Sequence, residues 1–286
     1  MFRIMPVESQ LQIDTRSKES VKAMDLGLKG KSIMVAAASR GLGYGIADQV
    51  AKEGARVSIA APTEPRVHES AQRLREETGA DVISCVFDAR DEQSIARWRD
   101  ATIAEFGGVD GLVLNAGGPP AGLFDDFDDE AWQAAYELTL LSAVRMIRSV
   151  LPAMRERGGG SIVTVTSSSV KEPIDMLLLS NVMRSGVTSL AKSLSQQLAA
   201  EGIRVNNLVP GAINTDRLRG LMQTQADRTG ASFEEISKAR AATVPMGRFG
   251  EAGEFGQAGA FLLSDAAAYI TGETLVVDGG AMKTVW

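Results

Sequence analysis

Three side chains near the middle of the chain have types and spacing suited to acting on a polar bond. Ser180 and Arg184 stand four residues apart in the amphipathic segment 177–201, so on a helix they share one face, one turn apart. Ser167 ends the apolar run that begins at Gly160, thirteen residues before Ser180. A serine hydroxyl donates and accepts hydrogen bonds, but it is a far weaker acid than a phenol, whose pKa is about 10. Arginine cannot be deprotonated, so it relays no proton, yet it stabilises an oxyanion. Arg184 is therefore suited to hold a carbonyl oxygen, a carboxylate or a ribose. Lys171, Glu172 and Asp175 follow Ser167 and are expected to border the same pocket, where one of them could supply an acid. The alternative is that they are ordinary polar loop residues.

A second constellation lies near the start. The apolar run 31–37 passes into Ala38-Ser39-Arg40-Gly41-Leu42-Gly43 and then into an amphipathic segment. A strand that ends in a small-residue turn and opens a helix lets backbone approach a pyrophosphate and aims free N–H groups at it. A tight strand–helix turn that binds nothing is the competing reading. The second apolar run ends Ala60-Ala61-Pro62-Thr63, without the acidic residue that would take the ribose 2′-hydroxyl of NAD.

The elements that must position these residues alternate regularly. Short apolar runs predict strands at 31–37, 55–61, 81–87, 109–115, 160–167, 203–209 and 273–277. Amphipathic segments predict helices at 42–54, 65–78, 91–106, 128–157, 177–201 and 251–264. Alternation of this kind signals βαβ units, and continuous runs such as Gly160–Thr166 suit strands covered on both faces. The expected fold class is α/β: a single Rossmann-type domain over 28–286 with a doubly wound parallel sheet of about seven strands. Residues 1–27 are polar and poorly periodic, and are expected to form an N-terminal extension. The polar stretch 212–245 contains no strand pattern and is expected to be a lid over a substrate pocket.

Composition narrows the function classes. The chain has 286 residues, 44% hydrophobic and 23% charged, an ordinary globular mixture. A net charge of −6 argues against a nucleic-acid partner, which would call for a basic patch. No run of 18 apolar residues marks a membrane span, and Met1–Pro6 lack an apolar signal core. A single cysteine, Cys85, leaves no intrachain disulfide and fits a cytoplasmic protein; its apolar surroundings predict a buried structural thiol. The single histidine, His68, lies in a polar helical stretch, so a Ser-His-Asp triad or a histidine-rich metal site is not expected.

Taken together, these motifs resemble the short-chain dehydrogenase/reductase family, and in overall pattern the 3-oxoacyl carrier-protein reductases. The resemblance runs from about residue 29 to the C-terminus. In the glycine loop, Ala37, Ser39, Arg40, Gly41, Leu42 and Gly43 match the family's Thr-Gly-x-x-x-Gly-x-Gly, with Ala37 at the first glycine. Asp88 stands where relatives hold the adenine, and Asn115-Ala116-Gly117 matches the Asn-Ala-Gly signature. Pro210, Gly211, Ile213 and Thr215 belong to the Pro-Gly-x-x-x-Thr stretch that cradles the nicotinamide carboxamide. Arg40 takes the place of a basic residue found in NADP-preferring relatives, so the resemblance favours NADP(H) over NAD. It also implies a small-molecule substrate and a homo-oligomer, dimer or tetramer.

The resemblance assigns catalysis to Ser167, Ser180, Arg184 and Thr139, and three of these depart from the family's residues. Thr139 stands for asparagine, Ser180 for tyrosine and Arg184 for lysine. The implied activity is NADP(H)-dependent reduction of a 3-oxoacyl group or another ketone by an atypical tetrad. The alternatives are a non-redox pseudoenzyme or NADP-binding subunit, and a lyase, isomerase or hydrolase with Arg184 as anion holder. Halohydrin dehalogenases, non-redox relatives, use serine, tyrosine and arginine at these spacings and lose the glycine loop. This chain has the arginine without the tyrosine and keeps Gly41 and Gly43, which argues against dehalogenation.

Overall fold

Seven apolar runs become seven strands because each alternates side chains between two buried faces. In the computed structural model, which describes residues 25–285, they are β1 (Ser32–Ala36), β2 (Arg56–Ala61), β3 (Val82–Val86), β4 (Gly111–Leu114), β5 (Gly160–Val165), β6 (Ile203–Pro210) and β7 (Thr274–Val277). All pair in parallel, in the order β3-β2-β1-β4-β5-β6-β7. The expected extension falls outside the described residues except for its last three, where Leu26 O accepts the N–H of Asp265.

The helices follow the expected alternation: α1 (Gly41–Lys52), α2 (Glu64–Thr78), α3 (Glu92–Phe106), α4 (Asp129–Ala135), α5 (Ser142–Glu156), α6 (Leu178–Leu198), α7 (Asp216–Thr229), α8 (Phe233–Ala242) and α9 (Ala252–Leu263). Ile33 and Val35 of β1 pack into one core with Ile46, Val50, Leu74 and Phe255. Met34 and Ala36 pack into the other with Trp98, Met146, Ile147 and Val187. The two-residue period of the strand thus feeds two cores, one per face, and the fold is a doubly wound Rossmann-type sheet. Each fully buried aliphatic or aromatic side chain contributes roughly 1.5–3 kcal/mol to it.

The structure departs from or adds to the sequence reading at three points. The predicted single helix 128–157 is divided: a π-helical turn, Tyr136–Leu141, separates α4 from α5. A wider turn rotates the side-chain register, which apolar periodicity alone does not reveal. The polar stretch 212–245 holds two helices, α7 and α8, that sequence reading left unassigned because few of their residues are apolar. Cys85 is half-covered on β3 rather than buried, and the burial it has pushes its thiol pKa up.

α1 and α9 cross at van der Waals contact. A Cβ on Gly45 would sit 2.2 Å from Ala252 O, and one on Gly256 would sit 2.1 Å from Gly45 O, so only glycines permit this approach. β1 lies between β2 and β4, and the chain reverses its direction of travel across the sheet there. Loops leaving the C-terminal ends of β1 and β4 head in opposite directions, which marks the switch point and the crevice where doubly wound sheets bind ligands. No described helix is long and apolar enough to cross a membrane.

Candidate nucleotide and catalytic site

The β1–α1 loop is built to leave donors free. Arg40 is the N-cap of α1, its side chain bonds no backbone N–H, and no acidic residue fills the first turn. The first N–H groups of α1 therefore stay available to an anion. Gly41 adopts φ +61°, and a Cβ on Gly43 would come 2.6 Å from Ala37 O and 2.9 Å from Asn115 Nδ2. Asn115 Nδ2 donates to Ala37 O at 3.3 Å, tying the end of β4 to this loop. Ser39 O accepts from Ser70 Oγ at 2.9 Å, and Leu42 packs on the core.

Ala37 is the one non-glycine among the described residues with positive φ, +49°. Its methyl group is not accommodated at negative φ. The loop keeps the left-handed geometry of a glycine at a cost of roughly 1–2 kcal/mol.

Across the crevice, Ala116 and Gly117 follow Asn115, and a Cβ on Gly117 would meet nothing within 4 Å. Gly211, after Pro210 at the end of β6, donates to Val277 O, and Ile213 is buried beside Gly250. Thr215 caps α7 by accepting from Leu218 N–H. The first turn of α7 then reaches back over the crevice. Thr215 Cγ2 lies 3.5 Å from a Cβ built on Gly41, Asp216 takes Arg40 Nη1 at 2.7 Å, and Arg217 Nη2 donates to Pro119 O at 3.1 Å. Arg40 is thus paired, not a free loop charge. Asp88 is also engaged: the hydrogen-bonded Arg90 guanidinium holds its carboxyl below the usual carboxylate range.

The catalytic candidates converge from three elements. Arg184 on α6 is buried and donates through Nε to Ser180 Oγ at 3.1 Å, through Nη1 to Val165 O at 3.0 Å and Thr166 O at 3.4 Å, and through Nη2 to Ala116 O at 3.3 Å. It therefore clamps the ends of β4 and β5 to α6. Every acceptor is neutral, and one Nη2 N–H has no partner among the described residues. Burial and the nearby Arg217 charge push the Arg184 pKa down to about 10, so the guanidinium stays protonated at neutral pH.

Ser180 accepts from Arg184 and leaves its own O–H without an acceptor among the described residues. Ser167 Oγ accepts from Ser169 N–H at 3.2 Å. Thr139, carried inward by the π-helical turn, is buried with Oγ1 unpartnered. With Asn115, Ala116 and Arg184 it lines a cavity of about 10 Å³, the size of one water molecule.

The three expected pocket-border residues do not join this group. Lys171 lines a larger, open cavity of about 840 Å³ between α6, β7 and the C-terminal residues. Glu172 Oε1 accepts the N–H of Lys283, and Asp175 is exposed. None of the three hydrogen-bonds to Ser167, Ser180 or Arg184. Conversely, sequence reading missed Arg217. The available signal was its place two residues after Thr215, at the head of a segment expected to cover the pocket. No cluster of metal-ligating side chains occurs among the described residues.

Residues 36–282 match the family described as Enoyl-(Acyl carrier protein) reductase. The chain is 37% identical over 255 residues to the 3-oxoacyl-acyl-carrier-protein reductase of Escherichia coli, covering 89% of this chain and 98% of that protein. The chain belongs to the short-chain dehydrogenase/reductase family. L-sorbose reductase from Gluconobacter frateurii, solved with NADPH and L-sorbose, superposes with a TM-score of 0.87 at 32% identity, over 92% of this chain and 100% of that one. YwfH, an NADPH-dependent reductase of bacilysin biosynthesis, superposes at 0.85 with 26% identity, over 89% and 99%. As a short-chain dehydrogenase/reductase, the chain comes from a family of NAD(P)H-dependent oxidoreductases acting on alcohol and carbonyl groups of small molecules.

The cradle fits a dinucleotide. Its evidence is the uncapped N-terminus of α1, the glycine positions that a Cβ would fill and the open face at Gly117.

Proposed function

We propose that this protein is an atypical NADP(H)-dependent reductase of a carbonyl compound, a 3-oxoacyl-like group or another ketone. The observation that carries the proposal is the Arg184–Ser180 hydrogen bond at 3.1 Å, which sets a buried positive charge behind a hydroxyl with a free proton. Residues 39–43, 88, 115–117, 210–215 and Ala37 are the proposed binders of the dinucleotide, with Arg40 reading a 2′-phosphate. When bound, the reduced nicotinamide supplies a hydride.

The chain's own residues polarise the carbonyl. Ser167 and Ser180 donate O–H groups to its oxygen, and Arg184 strengthens Ser180 as a donor by binding its lone pair. A preorganised donor of this kind is typically worth about 10²–10³ in rate. The final proton comes from solvent, since neither serine is acidic enough to be lost and Arg184 remains charged. Thr139 and its water-sized cavity provide a site for a water behind Arg184. α7 and α8, within 212–245, act as the lid, inside one unit spanning 28–286. A homo-oligomer forms through β7, an edge strand whose four residues are all only half-covered.

A second reading is a non-redox NADP(H)-binding protein. The observation favouring it is that, among the described residues, no carboxylate, lysine or tyrosine hydrogen-bonds to Ser167, Ser180 or Arg184. Steady NADPH oxidation with a ketone or acyl thioester supports the reductase. Proven NADPH binding without turnover across a broad panel, together with activity gained by Thr139→Asn, Ser180→Tyr and Arg184→Lys combined, supports the second reading.

A further inference from the structure

Two cations grip one four-residue loop without a carboxylate between them. Arg184 holds Ala116 O from the α6 side, and Arg217 holds Pro119 O from the α7 side. Arg217 also lies against the bare backbone of Gly118, its Nη2 2.9 Å from where a Cβ would stand. Neither guanidinium has a carboxylate within 4.0 Å among the described residues. The neighbouring acids are committed elsewhere: Asp216 to Arg40, and Asp126 to the N–H of Leu123.

A neutral ketone draws on Arg184 only through Ser180 and leaves the charge of Arg217 uncompensated. Uncompensated cations at the wall of a crevice raise its potential and favour an anionic occupant over a neutral isostere. Guanidinium groups match carboxylates in particular, through short charge-assisted hydrogen bonds. The repulsion between the two is already expressed, since the Arg217 charge helps to depress the Arg184 pKa.

We infer that the substrate carries a carboxylate, bound at the 116–119 loop by Arg217 as the specificity-determining residue with the charge of Arg184 behind it. This rests on the reductase reading for the word substrate, but not for the binding itself. Arg184 is occupied by four neutral oxygens and contributes field, whereas Arg217 has a single backbone acceptor and is exposed enough to turn toward a ligand.

The test uses equilibrium titration of the NADP-loaded, full-length protein with 4-oxopentanoate, 5-oxohexanoate and 4-oxo-4-phenylbutanoate, each against its methyl ester. At least one acid is expected to bind about tenfold or more tightly than its ester, with the difference shrinking at high salt. Arg217→Ala is expected to bring acid and ester to within about twofold, and Arg217→Lys, which keeps the charge but not the planar fork, to retain only part of the preference. The affinity of each variant for NADP is measured alongside. Equal binding of acid and ester, or binding of neither, overturns the inference. So does a preference that survives in Arg217→Ala, or a loss of NADP affinity greater than about tenfold in that variant, which would assign the guanidinium to the cofactor phosphates. Because the readout is binding, absence of turnover with a bound acid counts against the reductase and leaves the anion site standing.

Discussion

Arg184 Nε donates to Ser180 Oγ at 3.1 Å, one helical turn away, and the same guanidinium ties that turn to the ends of β4 and β5. The pair therefore combines two tasks that separate substitutions can divide. Ser180→Ala removes only the polarised donor. It is expected to lower kcat by about 10²-fold with little change in KM or melting temperature. Arg184→Lys keeps a charge but reaches fewer of the backbone oxygens, so it should lower both kcat and the melting temperature. Steady-state kinetics beside thermal denaturation distinguishes the two; equal loss of stability in both variants contradicts this division.

Ala37 holds φ +49° where glycine carries no penalty. Ala37→Gly relieves roughly 1–2 kcal/mol of left-handed strain and gives back roughly 0.4–1 kcal/mol in unfolded-chain entropy. The net expectation is a gain of about 0.5–1 kcal/mol, read as a rise of about 1–4 °C in Tm for a domain of this size. A Tm that stays level or falls would show that the loop relaxes around the methyl group.

On the proposed NADP(H) reading, Asp216 competes with the 2′-phosphate for Arg40. Their pair is exposed, so it contributes at most about 1 kcal/mol. Asp216→Asn should raise NADPH affinity up to about fivefold, while Arg40→Ala should lower it by about 10–100-fold and leave NADH unchanged. Fluorescence titration at two salt concentrations checks both. A parallel loss of NADPH and NADH affinity in Arg40→Ala would move Arg40 from the 2′-phosphate to the shared pyrophosphate.

Asp110 joins β1, β4 and the chain after α5. Its carboxylate accepts from Ser32 N–H at 2.8 Å and from Arg157 at 3.1 and 3.0 Å. Burial alone would push its pKa up, but Arg157 and the Ser32 N–H outweigh that and hold it below the ordinary carboxylate value. A depressed folded pKa stabilises above the unfolded value, near 4, and the contribution disappears as pH falls through the folded value. Asp110→Asn should cost about 1–3 kcal/mol, a deficit constant between roughly pH 5 and 8 and shrinking below about pH 4. Urea denaturation of both proteins across that range provides the measurement.

The sheet was legible because its strands are apolar on both faces; Ile33 and Met34 serve different cores, so the run reads as continuous. The glycine loop was legible for a related reason: Gly41 and Gly43 mark sites where backbone conformation or close approach leaves no room for another residue. The π-helical turn at Tyr136–Leu141 was not, since one wider turn hardly disturbs the apolar period of a long helix. α7 and α8 escaped because their few apolar residues give periodicity little to detect. Lys171, Glu172 and Asp175 were drawn to the pocket by nearness in sequence to Ser167, whereas the turns after β5 carry them toward β7, the C-terminal residues and solvent. Arg217 went unnoticed because an arginine in a polar stretch looks solvated until the fold brings Gly118 and Pro119 beneath it.

The contact between Gly45 and Gly256 joins residues more than two hundred positions apart, and α1 has no substitute for the small-residue face of α9. During synthesis, a nascent chain that has emerged only through β6 already contains every residue of the glycine loop, but not the helix that fixes the angle of α1. The proposed nucleotide cradle therefore becomes complete only after α9 has left the ribosome. C-terminal truncations into α9 would be felt at the opposite end of the sequence.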